Sequence, residues 1–262
     1  MAAITNSWIE FRQPLPKASL KLFCFPYAGG SAALYRTWQG HLPPSIEVCP
    51  VQLPGRARRL GEALLLSIPE MVEATAEGLR SHLAGPFAFF GYSMGALLGF
   101  ELARLLQAQK RTPPLSLIVA GSRAPHLQAL ERSTYELPDA EFLQELRTIN
   151  GTPREILDDP EAMQLLLPII RADFKAIQTY RYEPGPKVNC PIAAFGGLED
   201  NYVESEHVRA WQEYTSADFS YSMLPGDHFF INQSLPAVLR EVHLSLFPII
   251  NSLPYQSWRA NT

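Results

Sequence analysis

Phe87-Ala88-Phe89-Phe90-Gly91-Tyr92-Ser93-Met94-Gly95-Ala96-Leu97-Leu98 is the stretch around which the chain is organised. An apolar run ends in Gly-x-Ser-x-Gly and passes at once into a helical pattern. Leu98, Leu102, Leu105 and Leu106 recur at three- and four-residue steps, with Glu101 and Arg104 on the other face. The pattern predicts strand, sharp turn, helix. Such a turn crowds the backbone at its tip, so the flanking positions must carry almost no side chain, as Gly91 and Gly95 do. Ser93 Oγ then stands exposed above a strand end, where a nucleophile belongs. Ordinary tight turns also use Gly and Ser, so it is the strand before and the helix after that favour the nucleophile.

Working outward, Leu20 to Phe25 and Ile46 to Val51 are expected as buried strands. The first runs into Pro26-Tyr27-Ala28-Gly29-Gly30-Ser31, a turn ahead of a helix through Tyr35 and Trp38; Leu53-Pro54-Gly55-Arg56 breaks the second. Pro69 to Leu83 is helical, with Met71, Val72, Ala76 and Leu79 inward. A strand at Leu115 to Ala120 follows the Ser93 helix. This alternation predicts an α/β fold, a mainly parallel central sheet with helices on both faces. From about Pro125 to Glu183 the strands stop, and Pro138 to Leu146 and Glu161 to Tyr180 are helical, the latter with Pro168 as a kink. This stretch is expected to be a lid over the strand ends within a single domain spanning residues 1–262. The sheet pattern resumes with a strand at Pro191 to Phe195, a helix around Val208 to Tyr214, a strand at Phe219 to Leu224 and a helix near Pro236 to Leu246.

The chain has 262 residues, 47% hydrophobic and 18% charged, which suits one α/β domain with a large core. A net charge of −4 offers no nucleic-acid surface. The start lacks a signal-peptide pattern, and no apolar run approaches the ~18 residues of a membrane span. Cys24, Cys49 and Cys190 form no C-x-x-C and lie in or beside apolar runs. They are expected as buried free thiols in a reducing compartment, the cytoplasm. Nothing demands more than a monomer.

A serine hydroxyl needs a base within hydrogen-bond reach, and histidine titrates near the working pH. Of the six histidines, His41, His82 and His243 suit surface or packing roles, and His207 sits solvated in an acidic run. His126 follows the strand after the Ser93 helix and is a second choice. His228, in the turn after the Phe219 to Leu224 strand, is aimed back at the Ser93 tip by sheet geometry. The acid that orients it is Asp200, past the Pro191 to Phe195 strand, with Glu199 and Asp227 as rivals. The order Ser93, Asp200, His228 is the nucleophile–acid–histidine order of α/β-hydrolases. For the oxyanion, Met94 N–H lies at a helix start, and Ala28 N–H is the expected second donor. Neither G-x-x-x-x-G-K-[ST] nor G-x-G-x-x-G is present, which argues against a nucleotide loop.

At this point the residues resemble a family. Phe25 to Ser31, Leu53 to Arg56, Gly91 to Gly95, Leu167 to Phe174, Gly196 to Asp200 and Pro225 to Phe230 are together similar to the type II thioesterases. These are stand-alone α/β-hydrolases that accompany polyketide and nonribosomal peptide synthetases. The resemblance covers nearly the whole chain. It implies hydrolysis of acyl thioesters on the phosphopantetheine arm of acyl or peptidyl carrier proteins, clearing stalled or mis-primed groups. Ser93 would be nucleophile, Asp200 acid and His228 base, with Met94 and Ala28 as oxyanion donors and the stretch 125–183 as lid. No cofactor or metal is implied, since phosphopantetheine arrives on the substrate.

In that family the residue before the nucleophile is usually His, and here it is Tyr92; this side chain is not the base, so activity is expected to survive, with acyl-chain or partner preference left open to differ. Arg56, Arg58 and Arg59 would either meet an acidic carrier protein or form a solvated loop with Arg56 tied into its own turn. A general carboxylesterase or small-molecule acyl hydrolase, an acyltransferase, and a non-catalytic carrier-binding module are the rival functions, because a triad alone does not distinguish ester from thioester.

Overall fold

Strands of a parallel sheet covered on both faces carry apolar side chains at nearly every position, and the alternation decides only which face each residue joins. In the computed structural model, which describes residues 8–128, 133–149 and 157–253, five of six strands obey this rule, and the sixth, at one sheet edge, alternates Ser with apolar residues and is largely half-exposed. The six are β1 (Leu20–Phe25), β2 (Ile46–Pro50), β3 (Phe87–Tyr92), β4 (Leu117–Ala120), β5 (Ile192–Gly197) and β6 (Phe219–Leu224). Their order is β2-β1-β3-β4-β5-β6, and every neighbouring pair is parallel.

On one face Phe23, Phe87, Phe89, Leu117 and Ala194 pack under α1 (Ile68–Gly78) and α2 (Met94–Ala108). On the other Leu22, Phe90, Ile118 and Phe195 pack under Tyr35, Trp38 and the long carboxy-terminal helix. Parallel strands place all their C-terminal ends on one edge, where the loops after β1, β3, β5 and β6 meet. Cys24, Cys49 and Cys190 are free and buried, and burial pushes the Cys49 and Cys190 thiols up to about 12. No helix among the described residues is long and apolar enough to cross a membrane.

Three expected helices differ, one of them, around Val208 to Tyr214, being mostly a 3-10 turn, Ala210–Tyr214. The helix through Tyr35 and Trp38 is instead two 3-10 turns, Ala32–Tyr35 and Trp38–Gly40. A 3-10 turn superposes residues three apart, and Tyr35 and Trp38 accordingly pack edge to face at 4.9 Å over Phe90. Helix α1 stops at Gly78, five residues before Leu83. A Cβ there would lie 2.2 Å from the Trp8 ring, so only glycine lets that ring close over the helix end.

Between β4 and β5, the described part of the stretch 125–183 holds α3 (Asp139–Ile149) and α4 (Pro160–Thr179), which runs through Pro168. They share a small core of Phe142, Leu146, Met163 and Ile170. Residues 129–132 and 150–156 lie outside the described residues. After β5 come α5 (Ser205–Arg209) and a 3-10 turn, and after β6 come α6 (Phe230–Gln233) and α7 (Leu235–Ser252).

Helix α4 is tied to the sheet domain by a buried ion pair. Arg56 Nη1 and Nη2 donate to Asp173 Oδ2 and Oδ1 at 2.6 and 2.8 Å, and both side chains are almost wholly out of solvent. Removing one partner strands a buried charge. Asp173→Ala or Arg56→Met should each lose about 3–5 kcal/mol in urea unfolding, and an apolar double replacement should recover much of it. A single-variant loss below about 1 kcal/mol would mean the pair is not sealed from water.

Candidate active site

The turn between β3 and α2 holds Ser93 at φ 52°, ψ −114°, a conformation costly for any residue but glycine. Its neighbours show what forces this. A Cβ on Gly91 would lie 2.1 Å from the Gly95 carbonyl oxygen, and one on Gly95 would lie 2.2 Å from that of Phe25. Helix α2 thus starts in backbone contact with the end of β1. Ser93 N–H donates to Ala120 O at 2.8 Å, which fixes the tip to β4. Tyr92 and Met94 are buried while Ser93 is only half-buried, so the strained turn presents the hydroxyl.

His228 lies between Ser93 and Asp200. Its Nδ1 is 2.8 Å from Asp200 Oδ2 and its Nε2 is 3.4 Å from Ser93 Oγ. Asp200 Oδ1 accepts the Tyr202 and Val203 N–H groups at 2.8 and 3.0 Å. Burial works against ionising this carboxyl, but the hydrogen bond and charge of His228, with those two N–H groups, hold it below the usual carboxylate range. An ionised carboxylate only accepts, so His228 Nδ1 carries the proton and Nε2 turns its lone pair toward Ser93. Tyr202 and Phe229 pack edge-on against the imidazole.

The rivals are engaged elsewhere. Glu199 accepts the Gly226 N–H, and Asp227 Oδ1 accepts the Phe229 N–H at 2.7 Å, so both brace the histidine loop. His126 is bound to the Tyr214 hydroxyl at 2.6 Å and stacks on that ring. His207 Nδ1 accepts the Glu204 N–H and caps α5 rather than standing free in solvent.

Met94 opens α2, so its N–H has no acceptor within the helix. Ala28 lies across a cavity of about 80 Å³ that also touches Ser93, His228, Ile170 and Phe174. A second cavity of about 230 Å³ extends from Ser93 along Leu97, Phe174 and Ile177. Residues of α3 and α4 line both, which puts these helices over the strand ends. The Ala28 loop is held by a Tyr27–Gly30 turn and by Gly29 N–H donating to Asp173 Oδ2 at 2.7 Å. Among the described residues no cluster of His, Cys, Asp or Glu could hold a metal ion.

Three features escaped sequence reasoning. Arg56 is tied into its own turn, as one alternative had it, with Nε donating to Pro54 O at 3.4 Å, but its guanidinium is buried rather than solvated and pairs with Asp173. Arg59 is buried too, paired with Glu62 and stacked over the Trp8 ring at 4.2 Å, which leaves Arg58 as the exposed member of the trio. Tyr92 lines neither cavity; its ring packs on the opposite sheet face and touches Tyr27, which does line one.

The family model described as Thioesterase domain matches residues 20–246. The chain is 42% identical over 249 residues to the Gramicidin S biosynthesis protein GrsT of Aneurinibacillus migulanus, covering 94% of this chain and 97% of that protein. It is 43% identical over 244 residues to a protein of Brevibacillus parabrevis named Linear gramicidin dehydrogenase LgrE, covering 92% of this chain and 93% of that protein. Among solved structures, the type II thioesterase BorB from the borrelidin biosynthetic cluster superposes with a TM-score of 0.84 at 38% identity, covering 92% of this chain and 98% of that one.

Two outcomes follow from this geometry. Asp200→Asn should lower kcat by roughly 100- to 10,000-fold with little change in KM, because the histidine loses the partner that fixes its tautomer. The stability Asp200 contributes is complete above the ordinary carboxylate value of about 4 and is lost as pH falls through its lowered folded value, so the variant should also flatten acid-side unfolding. Gly95→Ala forces a methyl into the Phe25 carbonyl and should cost about 1–3 kcal/mol in thermal unfolding; unchanged stability would show that the contact yields.

Proposed function

The chain belongs to the thioesterase family, and on that premise we propose that it is a type II thioesterase that removes acyl groups from the phosphopantetheine thiols of carrier proteins in polyketide or nonribosomal peptide synthesis. The observation that carries this reading is His228 bridging Ser93 Oγ and Asp200 beneath apolar cavities walled by the lid helices. His228 Nε2 takes the Ser93 proton as Oγ attacks the thioester carbonyl carbon. The oxyanion then accepts the Met94 and Ala28 N–H groups, each worth on the order of 100- to 1000-fold in rate. As the C–S bond breaks, His228 returns the proton to the departing thiolate. A water deprotonated by His228 attacks the acyl-Ser93 carbonyl, and the C–Oγ bond breaks as Oγ regains the proton. No organic cofactor or metal is required in this scheme, since the pantetheine arm comes with the carrier.

The word dehydrogenase in one relative's name does not transfer. The loop after β1 is Pro26-Tyr27-Ala28-Gly29-Gly30-Ser31 and lacks the G-x-G-x-x-G spacing that brings a backbone against a pyrophosphate. A monomer acting in the cytoplasm beside its synthetase is part of the same proposal, and three buried free thiols suit a reducing compartment.

Intact-mass spectrometry of acyl-loaded carrier protein tests the reading. Wild-type protein should remove the acyl mass, and Ser93→Ala or His228→Ala should leave nearly all of it. An acyl carrier left intact while a free ester is cleaved would make the protein a general esterase. Inertness on both, with Ser93 unlabelled by a fluorophosphonate probe, would make it a carrier-binding module.

A further inference from the structure

We propose that Tyr92 is a positioning residue for the base, its phenol acting as a strut that sets the distance of His228 from Ser93. The inference rests on His228 serving as general base, and it assigns a task to the residue whose side chain faces away from the acyl cavities.

Tyr92 immediately precedes the nucleophile, and its ring is fully buried. Its hydroxyl donates to the His228 carbonyl oxygen at 2.7 Å and accepts the Ile231 N–H at 3.4 Å. Those two groups are the carbonyl of residue i and the amide of residue i+3 of one turn, which would ordinarily bond to each other. The phenol oxygen stands between them, so Tyr92 bridges the one pair left open in a turn whose flanking bonds, Phe230 N–H to Asp227 O at 3.0 Å and Asn232 N–H to Phe229 O at 2.9 Å, are closed by backbone. Burial raises the phenol's pKa, which keeps it protonated and donating across the working range. The ring has little room to swing. A Cβ on Gly121 would touch it at 3.0 Å, and Phe230 packs at 5.2 Å between centroids. One rigid side chain therefore links the backbone beside Ser93 Oγ to the backbone that bears His228.

Without the hydroxyl, the His228 carbonyl and the Ile231 N–H lose their shared partner, and the backbone that bears the imidazole loses its tie to the residue beside Ser93. Tyr92→Phe is the test, with Tyr214→Phe as a matched deletion. Tyr214 is also a buried tyrosine with a doubly engaged hydroxyl, contacted by His126 N and Nδ1 at 3.1 and 2.6 Å, and it lies outside the site. Turnover of acyl-loaded carrier protein, the rate of fluorophosphonate labelling at Ser93 and the melting temperature are measured for each. Activity is normalised to the labelling end point, so that misfolded protein does not count.

Tyr92→Phe should lose about 10- to 100-fold in kcat with KM within about twofold, and labelling should slow in step, while Tyr214→Phe stays within about twofold of wild type in both. Full kcat and labelling rate in Tyr92→Phe overturn the assignment. So does a loss that Tyr214→Phe reproduces at an equal fall in melting temperature, because that is stability alone. Wild-type protein that neither turns over acyl carrier nor takes the probe overturns the underlying base as well.

Discussion

Backbone contact between the start of α2 and the end of β1 is the constraint on which the site depends. With 2.2 Å between a Gly95 Cβ and the Phe25 carbonyl, no side chain fits, and the helix is drawn onto the strand. Ala28 lies three residues beyond Phe25, and Met94 one residue before Gly95. The two N–H groups proposed as oxyanion donors are thus carried by the two sides of a single contact. A looser packing would relax the Ser93 backbone and also separate its donors. Strain at Ser93 and spacing at the oxyanion site therefore share one cause.

That contact fixes one side of the Ala28 loop, and a buried charge fixes the other. Asp173, on a lid helix, takes both Arg56 nitrogens and the Gly29 N–H, while Arg56 also reaches the Gly30 carbonyl at 3.3 Å. Such a pair gains little over apolar residues of like volume, because desolvation offsets the attraction. What it gives here is direction: a bidentate fork and a loop amide cannot all be satisfied in another register. Helix α4 is therefore not free along its length. It is anchored where it touches the oxyanion loop, and its apolar residues Phe174 and Ile177 reach the cavities from that anchored helix.

The sheet was legible because most strands are short apolar runs that end at or beside Gly, Pro or Ser, and β6 lies at Phe219–Leu224 as expected despite its two serines. The Ser93, Asp200 and His228 loops were legible for a related reason, since each follows a strand and parallel strands deliver their ends to one edge. Arg56 and Asp173 were not, because a charge in a sequence looks solvated unless its partner is known, and these are 117 residues apart. The 3-10 turns at Tyr35 and Trp38 escaped because aromatics three apart fit an α-helix equally well. The place of the Tyr92 ring was hidden for a different reason. Its position beside the nucleophile invites a role in substrate choice, whereas the alternation of β3 sends its side chain to the far face.

The joints of the site differ in tightness in a way that suits its chemistry. Asp200 is satisfied on both oxygens and holds His228 at 2.8 Å, yet the imidazole stands 3.4 Å from Ser93 Oγ. A short, strong Ser–His bond in the free enzyme would stabilise the ground state and would have to be given back as Oγ advances on the carbonyl. A base anchored on its acid side and slack on its nucleophile side avoids that cost, because the bond tightens as the proton begins to transfer. The rigid parts (the glycine contact, the buried ion pair, the Tyr92 bridge and the bonds to Asp200) therefore hold the backbones in place, and the proposed reaction has to change only the reach of the His228 side chain to Ser93 Oγ.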